Sequence, residues 1–262
     1  MAETITIEPR FNGPPESGNG GYTCGGLARF VEGEAAEVML RLPPPIGHPM
    51  RVERGKDGSA RLLDGDALIA EARPADLAAE APTPVDAAEA ALAEDDSPFL
   101  DAAAHPFPTC FVCGPLREPG DGLRIFSGPV SQRDVCGARW TPDPALADAD
   151  GTLPPELVWA ALDCPTSVPV ANEPGPDFRP IVLARLAVRI LAPVRGGEPH
   201  TIVSWPIELD GRKRHSGAAL HSADGELLAV GRALWIELKP ESLSPPEPES
   251  QPEPPSERAA AS

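Results

Sequence analysis

The chain has 262 residues, of which 41% are hydrophobic, 5% aromatic and 24% charged, and this length suits one large domain or two of about 100–150 residues. A formal net charge of −18 argues against a general nucleic-acid binder, which needs a basic footprint, and against docking on anionic membranes. The N-terminal MAETITIEPR has no apolar leader core, no stretch is apolar enough to span a bilayer, and five cysteines suggest no disulfide framework, so a cytoplasmic setting is expected.

The first expected unit covers residues 1–80. Residues 4–7 (TITI) read as a short strand. A glycine-rich stretch from Gly13 to Gly26 leads into a helix expected over residues 20–31, with Leu27, Phe30 and Val31 on one face. Residues 37–42, 50–54, 60–63 and 67–72 then read as an antiparallel meander. Its turns carry Asp57-Gly58 and Asp64-Gly65, which suit the positive φ of tight hairpins.

Residues 81–104 are dominated by Ala, Pro, Glu and Asp and read as a surface connector, with a short Ala-faced helix over residues 86–93. The second unit, residues 105–240, repeats the pattern. Strands are expected over 123–126 and 134–140, and a helix over 154–164, which Pro165 should stop. Four strands follow over 182–190, 201–209, 212–221 and 227–236, the last two turns carrying Asp210-Gly211 and Asp224-Gly225. Residues 241–262 are a Pro/Glu/Ser tail too poor in apolar groups to offset ordering entropy. The class is α+β: strand, helix and four strands, twice over, with the two sheets joined edge to edge.

Two segments carry a resemblance. Residues 110–126, CFVCGPLREPGDGLRIF, are similar to the segment that opens many hot-dog thioesterase domains. Residues 19–28, NGGYTCGGLA, resemble the helix start of phenylacetate-pathway-type thioesterases, where a His-Gly-Gly triplet begins the helix and a carboxylate follows nine positions after the His. The chain therefore resembles a tandem, double hot-dog protein of the acyl-CoA thioesterase-like superfamily, over roughly residues 4–77 and 105–238. In the first half Asn19 replaces the His, Gly20 and Gly21 match, and Ala28 stands at the carboxylate position. In the second half the triplet is Pro154-Pro155-Glu156, and the carboxylate position holds Asp163. The resemblance implies one complete site composed from both halves: helix-start amides from one, the carboxylate from the other.

Free N–H groups at a helix start carry partial positive charge, and glycine lets a ligand approach them. Gly20 and Gly21 are thus expected to polarise a thioester oxygen, an effect worth about 3–4 kcal/mol for a well-placed donor. Their alternative role is close helix packing. Asn19 caps the helix or donates a side-chain hydrogen bond. Asp163 sits in a last helical turn, where the dipole disfavours its charge, so a role as general base or nucleophile is expected; a loop cap at residues 165–166 is its bland alternative. Glu156, in a first helical turn, fits ordinary dipole matching.

Arg212, Lys213 and Arg214 are candidates for the phosphates of coenzyme A, as is a second patch of Arg51, Arg54, Lys56 and Arg61; a solvated hairpin face competes with that reading for the first group. Cys110 and Cys113 form a single CxxC, with His105 and Cys136 as conceivable further zinc ligands. Without a second matching pair the thiols read as packing groups, and no metal is assigned. Cys24 and Cys164, on the two helices, also read as core. The expected function is hydrolysis of an acyl thioester, with no cofactor beyond the coenzyme A of the substrate. The competing function is non-catalytic binding of an acyl-CoA or acyl ligand. A homodimer is compatible with either, and the absence of His from both helices argues against a dehydratase or hydratase.

Overall fold

The computed structural model describes residues 3–171 and 179–239, so the tail expectation lies outside the described residues. Eleven strands and three α-helices are described: β1 (Thr4–Thr6), α1 (Gly20–Ala28), β2 (Ala35–Leu40), β3 (Pro49–Arg54), β4 (Ala60–Asp64), β5 (Ala67–Pro74), α2 (Ala87–Asp95), β6 (Gly128–Pro129), β7 (Cys136–Trp140), α3 (Pro155–Ser167), β8 (Ile181–Ile190), β9 (His200–Asp210), β10 (Lys213–Ser222) and β11 (Leu227–Glu237). They form one sheet in the order β1-β3-β4-β5-β2-β8-β11-β10-β9-β7-β6, antiparallel throughout. No helix among the described residues is long and apolar enough to cross a membrane.

The order contains one topology twice. In each half the strand preceding the long helix pairs with the second strand after it, and the first strand after the helix closes on the last. The expected four-strand meander is therefore corrected. Only the last three strands of each half meander, while β2 and β8 leave their hairpin neighbours to meet at the seam. There Ala35 pairs with Arg189 and Met39 with Arg185. All four Asp-Gly turns hold their glycine at positive φ, from 57° to 82°. That is the conformation the tight turns between β3, β4 and β5 and between β9, β10 and β11 require.

Strand alternation sorts the core into two faces. Ile202, Ala218 and Leu220 point into the main core with α1 and α3, whereas Val203 and Ala219 point the other way. On that outer face the connector is more than a crossing. Asp86 and Glu89 form a reciprocal capping box, and Ala90 and Ala93 bury against Val130, Val203 and Ala219.

Two further expectations change. Residues 123–126 form no strand, although Leu123 and Ile125 are buried as alternation suggested. Arg124 adopts φ +52°, and the segment instead clamps the CxxC turn: Leu123 N–H donates to Phe111 C=O and Ile125 N–H to Val112 C=O, at 2.8 and 2.9 Å. Pro165 does not stop α3, which runs through it to Ser167. Proline lacks the N–H that would bond the Ala161 carbonyl, four residues back. Hydroxyls serve the last turn: Thr166 Oγ1 donates to Asp163 C=O at 2.6 Å and Ser167 Oγ to Cys164 C=O at 2.8 Å. Trp235 Nε1 donates to Thr166 Oγ1 at 2.9 Å and ties this end of α3 to β11.

Candidate active site

The two long helices touch through small residues. A methyl group at Gly21 would lie 2.5 Å from Asp163 Cβ and 2.7 Å from the Trp159 carbonyl oxygen; one at Gly25 would lie 2.5 Å from Glu156 Cα. Gly21 and Gly25, one turn apart, are thus the face on which α1 meets the backbone of α3. This closeness brings the start of α1 onto the last turns of α3.

Asn19 caps α1, its Oδ1 accepting from Tyr22 N–H at 2.9 Å. Its Nδ2 donates to Asp163 Oδ2 at 2.9 Å, and Gly21 N–H donates to the same oxygen at 2.9 Å. Residues 142 and 144 positions apart in sequence therefore meet on one carboxylate oxygen. The other oxygen, Oδ1, is buried without a hydrogen-bond partner among the described residues. Asn19 and Asp163 are each only 2% exposed, so the expected shared cleft is a buried contact between the helices. Burial raises the Asp163 pKa to about 7; the Gly21 amide and Asn19 pull it down, and the nearby Cys110 pushes it further up.

The expected roles of the glycines separate. Gly21 serves packing and also gives its N–H to Asp163, so that amide is not free for a substrate. Gly20 is half-buried beside Leu40 and Leu183, and its N–H is the first-turn amide that no described protein group takes. At the opposite end of the helix pair, Glu156 forms an ion pair with Arg29 at 3.3 Å, in keeping with its ordinary dipole role.

A second group adjoins the carboxylate. The sulfurs of Cys110, Cys113 and Cys164 all lie within 4.8 Å of one another, and all three residues are buried. Cys110 Sγ is 3.8 Å from Cys164 Sγ and 4.0 Å from Asn19 Nδ2. The neighbouring Cys113 and Cys164 thiols hold the Cys110 pKa well below the usual value, while those of Cys113 and Cys164 are themselves pushed well above it. Of the conceivable zinc ligands, Cys136 is on β7 outside this cluster, its thiol pushed up to about 12 by burial. His105 is buried too, its Nδ1 accepting from Phe107 N–H at 2.9 Å. Cys164, read from the sequence as a core residue, is the third member of the cluster, and Cys136, a conceivable ligand only, is not part of it. Cys164 stands next to Asp163 in the sequence, and that adjacency was the available signal. Cys24 packs in the core of α1, as expected.

Most of the basic candidates are paired; Lys56 takes part in none of the described ion pairs. Arg214 binds Glu237 at 2.5 Å, Lys213 lies 3.4 Å from Asp210, and Arg212 donates to the Glu237 carbonyl at 2.9 Å. In the first half Arg51 pairs with Glu53, Arg54 with Glu3 and Arg61 with Glu53.

No protein-family model and no curated protein matches the chain. Among solved structures it is similar to an acyl-CoA thioesterase II from Mycobacterium marinum, with a TM-score of 0.57 and 13% identity over 91% of this chain and 93% of that one. A tesB protein of Mycobacterium avium subspecies paratuberculosis gives 0.54 and 11% over 90% and 92%. A conserved protein of unknown function with a hot-dog fold from Alicyclobacillus acidocaldarius gives 0.52 and 14% over 90% and 93%. The fold is a double hot-dog. At such identities the likeness establishes the double hot-dog architecture, and any activity must be argued from the residues between its halves.

Proposed function

We propose that this double hot-dog protein hydrolyses an acyl thioester, with acyl-CoA as the substrate class, at one composite site made from Asp163 of α3 and the Asn19–Gly21 start of α1. The observation that carries the reading is the Asp163 carboxylate. One oxygen is fixed by two donors from the other half, and its second oxygen is left without a partner. A carboxylate held in this way can direct its free oxygen at a water and accept its proton as the water attacks the thioester carbonyl. The oxygen of that carbonyl gains charge during attack, and the Gly20 N–H, at the positive end of α1 and taken by no described protein group, would supply a donor to it. The thiolate then leaves and takes up a proton, giving the free acid and the thiol. Direct attack by Asp163 on the carbonyl, forming an anhydride, uses the same geometry. The names of the structural neighbours, an acyl-CoA thioesterase II among them, support the substrate class.

The near-complete burial of Asp163 and Asn19 favours a second reading, in which the protein binds an acyl ligand without turnover. Purified protein offered a panel of short, medium, long and aromatic acyl-CoAs, with released thiol followed, separates the two. Thiol release above background for at least one class supports hydrolysis. Saturable binding with no release across the panel replaces hydrolysis with the binding reading.

A further inference from the structure

The three buried thiols beside Asp163 are not used by the proposed hydrolysis. As packing groups they need no common focus, because a buried cysteine behaves as a small hydrophobe. Here they converge. Cys110 and Cys113 come from one turn and Cys164 from α3, 54 residues beyond Cys110, yet all three sulfurs fall within 4.8 Å of one another.

We propose that Cys110, Cys113 and Cys164 form a three-thiolate site for a divalent cation of the zinc class. The first argument is spacing. Zinc–sulfur bonds are about 2.3 Å, so two sulfurs on one tetrahedral zinc stand about 3.8 Å apart. The Cys110–Cys164 separation is 3.8 Å. The second argument is the surroundings of the sulfur. The Asn19 side-chain amide lies 4.0 Å from Cys110 Sγ, a donor from outside the three sulfurs that suits a thiolate ligand.

The third argument is rigidity. The turn is anchored on both sides, with Phe111 N–H donating to Asn12 C=O at 2.8 Å and Leu123 and Ile125 N–H to the carbonyls of Phe111 and Val112. Gly114 closes it: its N–H donates to Cys110 C=O at 2.9 Å, and a methyl group there would lie 2.5 Å from that oxygen. The ligand atoms are therefore held before a metal arrives. Among the described residues no fourth His, Cys, Asp or Glu atom joins the cluster, so the fourth position is open to water or an exogenous ligand. Binding displaces the thiol protons and leaves three thiolates on one cation. Asn19 reaches both Cys110 and Asp163, so the metal site would adjoin the candidate carboxylate.

The test uses the full-length chain, reduced and stripped by a chelator, then titrated with zinc against a chromophoric competitor and separately with cobalt. One zinc per chain is expected, together with a cobalt complex showing tetrahedral d–d bands and a thiolate charge-transfer band of three-sulfur intensity. Cys164→Ser, checked for folding by circular dichroism, should lower zinc affinity at least about a hundredfold, the upper end of what loss of an outer-shell partner produces; Cys136→Ser should leave it unchanged. A wild-type protein that takes up no stoichiometric zinc and shows no charge-transfer band overturns the proposal. So does a folded Cys164→Ser that binds zinc as tightly as wild type. If Cys164→Ser does not fold, the cobalt spectrum of the wild-type chain decides alone.

Discussion

Asp163 is placed against its own stability. It lies near the negative end of α3, buried, with one oxygen unpartnered. Its folded pKa, about 7, stands above the ordinary aspartate value of 3.8. Between those two values the folded protein holds a proton that the unfolded chain has released, so stability falls as pH rises through this window and levels off above about 7. Asp163→Asn keeps the shape and removes the charge. It should therefore raise the melting temperature by a few degrees at pH 8, with the gain shrinking towards pH 4. A variant less stable than wild type at pH 8 would show that the carboxylate is a structural anchor. Asn19 can be divided in the same way. Ser caps a helix as well as Asn does, but it is too short to bridge to Asp163. Asn19→Ser should keep the melting temperature within a few degrees and cut thioester turnover about tenfold or more, measured as thiol release; unchanged turnover would remove Asn19 from the site.

The helix pair is built on two glycines, which sets a sharp contrast along α1. Gly25 meets the backbone of α3, so Gly25→Ala forces the helices apart and should destabilise by about 2 kcal/mol or more, in the range of overpacked cores. Gly26 points away, with nothing closer than 3.8 Å to an added methyl, so Gly26→Ala should gain up to about 1 kcal/mol of helix propensity. Denaturant midpoints measure both, and equal effects would contradict the packing described. Elements of this kind were partly legible in the sequence. The Asp-Gly turns and alternating apolar residues marked most strands because those signals are local. The 123–126 segment misled because Leu123 and Ile125 do alternate and are buried, while the left-handed Arg124 between them sends the backbone to the CxxC turn. Pro165 misled because its missing N–H costs α3 one hydrogen bond, while the residues around it, Leu162 to Ser167, are buried and held in place by the rest of the fold.

At the scale of the molecule, a repeated topology supplies two similar halves, and their seam creates what neither half holds. The first half has the glycine helix start and Ala28 where the resemblance calls for a carboxylate; the second has Asp163 and a proline-led helix start. That complementarity was legible because it follows from comparing two helix starts within one chain. The closing of β2 on β5, and the convergence of Cys164 on Cys110 and Cys113, were not, because pairing between distant segments leaves no local pattern. The proposed activity requires the two halves to share one working carboxylate. Its most direct test is thiol release by Asp163→Asn beside wild type, on an acyl-CoA the wild type hydrolyses, with binding of a non-hydrolysable analogue measured in parallel. The account predicts turnover reduced at least about a hundredfold, the scale of a general acid–base group, with analogue binding retained. Full activity in Asp163→Asn would contradict it.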